Sequence, residues 1–233
     1  MREMKDSGIA WNGLIPATWE TRRGKFVISL LSRPVREDDE VITCFRDGQV
    51  TLRKNRREEG FTLSDKEIGY QGIESGDLVI HGMDGFAGSI GISDSRGKDT
   101  PVFNVCDSEE DKRYLMYYLR SMAYNDVFTA LATGIRVRSC DLRWKKLSEL
   151  PYLLPSSQEQ AQIVSTIENK SKKVDALIAN EQKQIEKLKQ YKQSLITEVV
   201  TKGLDPSAPM KDSGVEWIGS IPACWHTIRI KWL

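Results

Sequence analysis

The sequence predicts a mixed α/β (α+β) domain followed by one long, coiled-coil-forming helix. Three observations carry this. Short apolar runs punctuated by glycine fill the chain up to about residue 154. A stretch free of Gly and Pro runs from Ser157 to Lys202, and the opening segment of the chain recurs near its end.

The first domain, residues 1–155, contains runs such as DLVIHGM (77–83) and PVFNV (101–105), which suit strands bounded by turns. Between Asp111 and Leu131, Leu115, Leu119, Met122 and Phe128 recur at helical spacing and predict one helix.

The second element, 156–203, is rich in Gln, Lys, Glu, Leu, Ile and Ala. Ser157 with Gln160 makes a capping box at its start, and Gly203, Pro206 and Pro209 end it. Ile163, Ile167, Val174, Leu177, Ile178, Ile185, Leu188, Tyr191, Leu195 and Val199 form a narrow apolar stripe. About 45 residues at 1.5 Å rise make a helix of about 68 Å. A stripe this narrow on an otherwise polar helix is the pattern of a helix–helix seam, so a second long helix is expected as its partner.

The third element, 204–233, contains the repeat. Met4–Val27 and Met210–Leu233 align without gaps, and 14 of the 24 positions are identical, including Trp11/Trp217, Gly13/Gly219, Pro16/Pro222 and Trp19/Trp225. An offset of 206 residues is far too long for a solenoid. The chain therefore reads as one complete unit and the opening of the next.

Composition bounds the function classes. Hydrophobic residues make up 39% of the chain, enough for a core and too many for a disordered segment. No run approaches the roughly 20 apolar residues of a membrane span, so no membrane partner is expected. The polar N-terminus is unlike a signal peptide. Cys44, Cys106, Cys140 and Cys224 form no C-x-x-C pair, and neither His81 nor His226 stands at metal-ligand spacing from a cysteine. A reducing cytoplasm, free thiols that are mostly small buried hydrophobes, and no metal are the expectations. Phosphate-loop, nucleophile-elbow, zinc-protease and kinase signatures are all missing, which argues against an enzyme. The glycines at 82, 85, 88 and 91 suit sharp bends or close approach to a ligand, and bends in a strand–turn–strand equally well.

With 34 basic and 33 acidic residues the net charge is +1, which gives no overall hint of nucleic acid. Local charge differs. Arg53, Lys54, Arg56 and Arg57 lie within five residues; Arg136, Arg138, Arg143, Lys145 and Lys146 lie within eleven; Arg22, Arg23 and Lys25 form a third group. Arginine suits bidentate contacts to phosphates and guanine edges. A solvated face with surface ion pairs explains the same clusters.

Taken in order, these parts resemble the specificity subunit of type I restriction–modification systems. The stretch LSELPYLLPSSQEQAQIV (147–164), running into the helix and on to Trp225, is similar to the family's central conserved region and the start of its second target recognition domain. Segments 69–98 and 133–147 are similar to parts of its target recognition domains.

The resemblance implies a non-catalytic subunit that binds double-stranded DNA, reads short halves of a split target and docks methyltransferase subunits. S-adenosylmethionine, and ATP where a restriction subunit is present, belong to those partners and not to this chain. The family has two recognition domains and this chain has one, so a half-length subunit is expected. It would homodimerise through the long helix and recognise an interrupted palindrome. On this view Arg53, Lys54, Arg56, Arg57 and the group from Arg136 and Arg138 to Lys145 neutralise phosphates, while His81, Met83, Asp84, Phe86 and either Arg136 or Arg138 read bases. The competing readings are a coiled-coil scaffold that binds protein, and an inhibitory fragment that holds methyltransferase subunits without recognising DNA.

Overall fold

The run Leu78–Val79–Ile80 feeds two cores at once. Successive side chains of a strand point to opposite faces, so Leu78 and Ile80 enter one buried cluster and Val79 the other. Strand Phe103–Asp107 alternates in the same way, Cys106 joining the first cluster and Phe103 and Val105 the second. This is why both strands read as apolar runs without alternation. They pair antiparallel, His81 opposite Phe103, at the centre of a four-stranded sheet ordered 29–30, 103–107, 78–81, 90–92.

The computed structural model describes residues 2–56, 68–131 and 142–228. The chain forms two compact units, Met1–Ile167 and Glu168–Leu233. In the first, strands Ile42–Cys44 and Val50–Leu52 form a hairpin, Gln71–Ile73 pairs Gly97–Asp99, and Glu20–Arg23 pairs Pro151–Leu154. These strand ladders are antiparallel, which places the domain on the α+β side of the expected class.

Helix α1 (Lys112–Tyr124) packs Tyr114, Leu115, Leu119 and Met122 into the first cluster. Its N-cap is Asp111, whose carboxylate accepts the N–H groups of Arg113 and Tyr114. The single helix expected over 111–131 is in fact two. Asp126 adopts φ 55°, a left-handed conformation that breaks the helix, and α2 (Val127–Ala130) follows. Phe128 is buried all the same.

After the short α3 (Trp144–Leu147), strand 151–154 is tied to α1. Tyr114 Oη donates to the Leu153 carbonyl at 2.7 Å, and Tyr118 Oη to that of Pro151 at 2.8 Å.

Helix α4 (Ser157–Lys202) spans 46 residues. Its cap lies one residue earlier than expected, because Ser156 Oγ accepts the Glu159 N–H at 3.4 Å. Gln160 does not close a capping box. Fully buried, it accepts the Asp111 N–H at 3.1 Å and donates to Glu110 at 2.6 Å and to the Pro155 carbonyl at 3.0 Å. A residue that looked like a local cap is a tertiary lock between α4 and the start of α1.

In the second unit, Gly203 at φ 79° ends α4 as a left-handed C-cap. The repeat then forms a hairpin, Met210–Asp212 against Ser220–Pro222. Cys44 and Cys106 are buried as expected, and burial pushes the Cys106 thiol up to about 12. Cys224 departs from the expectation and is exposed, because it lies past the hairpin's second strand. Cys140 lies outside the described residues.

Candidate nucleic-acid interface

Strand Leu78–His81 delivers His81 to the head of the glycine-rich loop. The ring packs edge-on against Phe103 with centroids 4.4 Å apart. Its Nδ1 accepts the backbone N–H of Met83 at 3.1 Å and of Asp84 at 3.0 Å. This needs a neutral imidazole, and burial lowers the His81 pKa in that direction, Asp84 opposing it and Arg46 reinforcing it. A short turn, Gly85–Ala87, closes on Gly88 at φ 92°. A Cβ at Gly88 would press on the Arg46 carbonyl, so glycine serves both the turn and the close approach. Met83 projects outward, while Phe86 packs partly into the core.

One tight turn flanks this loop. Phe45 and Gln49 close around Asp47–Gly48, with the Phe45 N–H to Gln49 O at 2.8 Å. From it Arg46 reaches Asp84 at 3.0 Å, and Asp47 receives Arg56 at 2.5 Å. The Arg56 guanidinium lies 4.3 Å from the Phe45 ring centroid. Two expected site residues distant in sequence, Arg56 and Asp84, are thus held by consecutive residues of one turn. Arg53 donates to Thr43 Oγ1 at 3.2 Å, and Lys54 pairs with Glu40 at 2.6 Å.

On the other side, the Leu142 N–H donates to the Gly82 carbonyl at 2.8 Å, which ties the loop to the segment leading into α3. Lys145 sits exposed on α3, beside a cavity of about 510 Å³ lined by Trp11, Leu131, Leu142 and Lys146 among others. Arg57, Arg136 and Arg138 lie outside the described residues.

The electrostatics here fit the reading of a solvated face with surface ion pairs. Arg46, Lys54 and Arg56 each hold a carboxylate of their own chain. Exposed pairs of this kind contribute about 0–1 kcal/mol, so the carboxylates hold these cations weakly. Sequence reasoning missed Arg46, Arg120 and Tyr124. Arg120 faces Gly48, its guanidinium hydrogen-bonded to Tyr124 Oη, and the Tyr124 ring faces Gly88. The Asp47–Gly48 pair, a hairpin-turn signal, could have marked the turn that presents Arg46. Arg120 and Tyr124 carried no such mark, being read only as part of an amphipathic helix.

The expected stripe on α4 divides in two. Ile163 packs on the domain's own core, next to the buried Val164, and Ile167 is partly buried. Val174, Leu177, Ile178, Ile185, Leu188, Tyr191 and Leu195 are all exposed, from 45% at Leu195 to 65% at Tyr191, and Val199 is partly covered. Ile196 and Val200 extend the exposed set beyond the expected one. Among the described residues no cluster of three or more His, Cys, Asp or Glu is placed to hold a metal ion. No described helix is long and apolar enough to cross a membrane.

No protein-family model matches the chain. It is 23% identical over 235 aligned positions to a curated protein named as the MjaX specificity subunit of a type I restriction enzyme from Methanocaldococcus jannaschii, covering 94% of this chain and 53% of the relative. The chain thus spans about half the length of that relative. Its fold matches a chain from a structure of type I R-M complex assembly with a TM-score of 0.58 at 15% identity, covering 84% of this chain and 49% of the other. It also matches the HsdS subunit of Thermoanaerobacter tengcongensis with a TM-score of 0.51 at 15% identity, covering 86% and 48%.

Proposed function

We propose that this chain, which has the fold of type I specificity subunits and resembles one in sequence, reads one half of a split DNA target as part of a restriction–modification complex. The reading assigns residues 1–155 to target recognition, 156–203 to spacing and dimerisation, and 204–233 to a linker and the start of a second unit. Chemistry is left to partners: methyltransferase subunits carrying S-adenosylmethionine and, where present, a restriction subunit using ATP. The single observation that supports it most is the uncovered apolar stripe on α4, which follows a domain of the matching fold.

In this reading two copies pair through the stripe from Val174 to Val199 and present two recognition domains to an interrupted palindrome. Arg53, Lys54, Arg56 and Lys145 meet phosphates together with Arg46, and the His81–Phe86 loop faces bases. Arg57, Arg136 and Arg138 are assigned to the same surface from sequence alone. The internal pairing of Arg46, Lys54 and Arg56 favours a second reading, in which the chain docks methyltransferase subunits without recognising DNA.

The experiment that decides is retention of a random duplex library by the chain co-purified with its cognate methyltransferase subunit. Enrichment of one split motif supports the first reading. Co-purification with no enrichment supports the second, and no co-purification removes both.

A further inference from the structure

The two copies of the repeat fold alike, but their surroundings differ. Met4, Lys5 and Asp6 stand opposite Pro16, Ile15 and Leu14; Met210, Lys211 and Asp212 stand opposite Pro222, Ile221 and Ser220. The turns share most of their backbone hydrogen bonds. The Ser7 N–H reaches the Gly13 carbonyl at 3.0 Å and the Ser213 N–H that of Gly219 at 3.0 Å, while the Trp19 and Trp225 N–H groups reach the Pro16 and Pro222 carbonyls at 3.0 and 2.9 Å.

The first hairpin has a seat. Ile9 and Ile15 are buried with Leu153, and Trp11, Trp19 and Tyr118 pack around them. Trp19 Nε1 donates to Glu159 at 3.1 Å. The matching residues of the second hairpin are Val215, Ile221, Trp217 and Trp225. Ile221 is buried and Val215 partly covered, but Trp217 is 85% exposed and Trp225 39%. The second hairpin therefore keeps the apolar docking set with both of its tryptophans uncovered. Ile9, one of the seated residues, becomes Val215, and two polar contacts at the seat are lost. Arg2, which grips Glu159 with both terminal nitrogens, becomes Ala208, and Asn12 becomes Ile218.

We propose that the second hairpin docks on the Tyr118–Leu153–Glu159 seat of a second copy of this chain, exchanging with that copy's first hairpin. A surface that fits this hairpin's side-chain set is already present in every copy, which identifies the occupant. The inference rests on the helix pairing proposed above. The proposed pair is antiparallel, so that the C-terminal end of one α4 lies beside the N-terminal end of the other, where Glu159 stands. Pairing raises the effective concentration of the second hairpin at that seat, and exchange of like elements is a low-cost route between protomers. The Arg2 grip makes the first hairpin the resident in an isolated copy.

The test is photo-cross-linking of the full chain with p-benzoylphenylalanine in place of Trp225, in mixtures of ¹⁵N-labelled and unlabelled protein. The expected product joins this position to the 153–163 region of the chain bearing the other isotope label. Its yield should rise several-fold with Arg2→Ala and fall several-fold with Trp217→Glu. A dimeric mass with cross-links only within one chain, or with none, overturns the inference and leaves helix pairing standing. A monomeric mass overturns both.

Discussion

Asp84 donates its backbone N–H to Nδ1 of His81 at 3.0 Å, and its carboxylate receives Arg46 at 3.0 Å. One residue thus joins the floor of the glycine-rich loop to the arginine turn beside it.

This arrangement makes the loop sensitive to acid. The folded-state pKa of His81 is lowered by burial, below the ordinary 6.5. The neutral ring's contribution is therefore complete above pH 6.5 and is lost as the pH falls through the folded value. Protonation at Nδ1 removes the acceptor for two N–H groups. His81→Phe should destabilise the domain by about 1–3 kcal/mol, the cost of leaving them unsatisfied. Denaturant unfolding of both proteins checks this at pH 7.5 and 5.5, where the difference between them should shrink at the lower pH.

Asp99 is fully buried, and its Oδ2 has no hydrogen-bond partner among the described residues. Burial raises its pKa well above the ordinary value. A raised carboxyl pKa means that stability is highest below the unfolded value near 3.8 and falls as the pH rises toward the folded one. Asp99→Asn removes that loss while keeping an oxygen for the Thr100 N–H, so it should stabilise the domain at pH 7.5 by about 1 kcal/mol or more. Unfolding midpoints of the two proteins at pH 4 and pH 7.5 should converge at the lower pH.

Arg96 holds Asp39 through two bonds of 2.7 Å each and also pairs with Glu74. The hydrogen bond from Arg96 lowers the Asp39 pKa, so this pairing stabilises above the ordinary carboxylate value of 3.8 and is lost as the pH falls below it. Arg96→Met leaves the buried Asp39 carboxylate without this partner and should cost about 2–4 kcal/mol at pH 7. Unfolding curves at pH 7 and pH 3 should show a smaller cost at the lower pH.

The α4 stripe separates assembly from folding. Leu188→Asp changes a side chain that is 65% exposed, so stability of the first unit should stay within about 0.5 kcal/mol. If the stripe is the dimer seam, mass in solution falls to that of one chain. A dimer that survives Leu188→Asp together with Ile185→Asp excludes the seam.

Arg46 makes a sharper test of the proposed DNA surface than the arginines that cluster in the sequence. Arg46→Ala should weaken retention of the target duplex about tenfold and lower the salt slope by about one for each phosphate left without its arginine. Titration at several salt concentrations measures both. An unchanged slope removes Arg46 from the interface.

What was legible in the sequence was what is local. The apolar runs at 78–81 and 103–107 and the uninterrupted composition of α4 lie along continuous stretches of chain, and the repeat shows by direct comparison of two such stretches. The break at Asn125–Asp126 was not legible, because no Gly or Pro marks it and an aspartate takes the left-handed conformation. Pairing of Glu20–Arg23 with Pro151–Leu154 joins strands far apart in the chain, as does Arg46 with Asp84. Contacts of that kind depend on tertiary packing, and neither periodicity nor charge counts encode it. Gln160 shows the same limit, since its spacing from Ser157 suggested a cap while its side chain is committed to Glu110 and Asp111.

The most direct test of the account is a map of methylated adenines in DNA from cells that make this chain with its cognate methyltransferase subunit. The account predicts one split motif whose two halves are related by two-fold symmetry, lost when Leu188→Asp breaks the pair. A motif that is undivided or asymmetric, or a methylation pattern that does not depend on this chain, contradicts it.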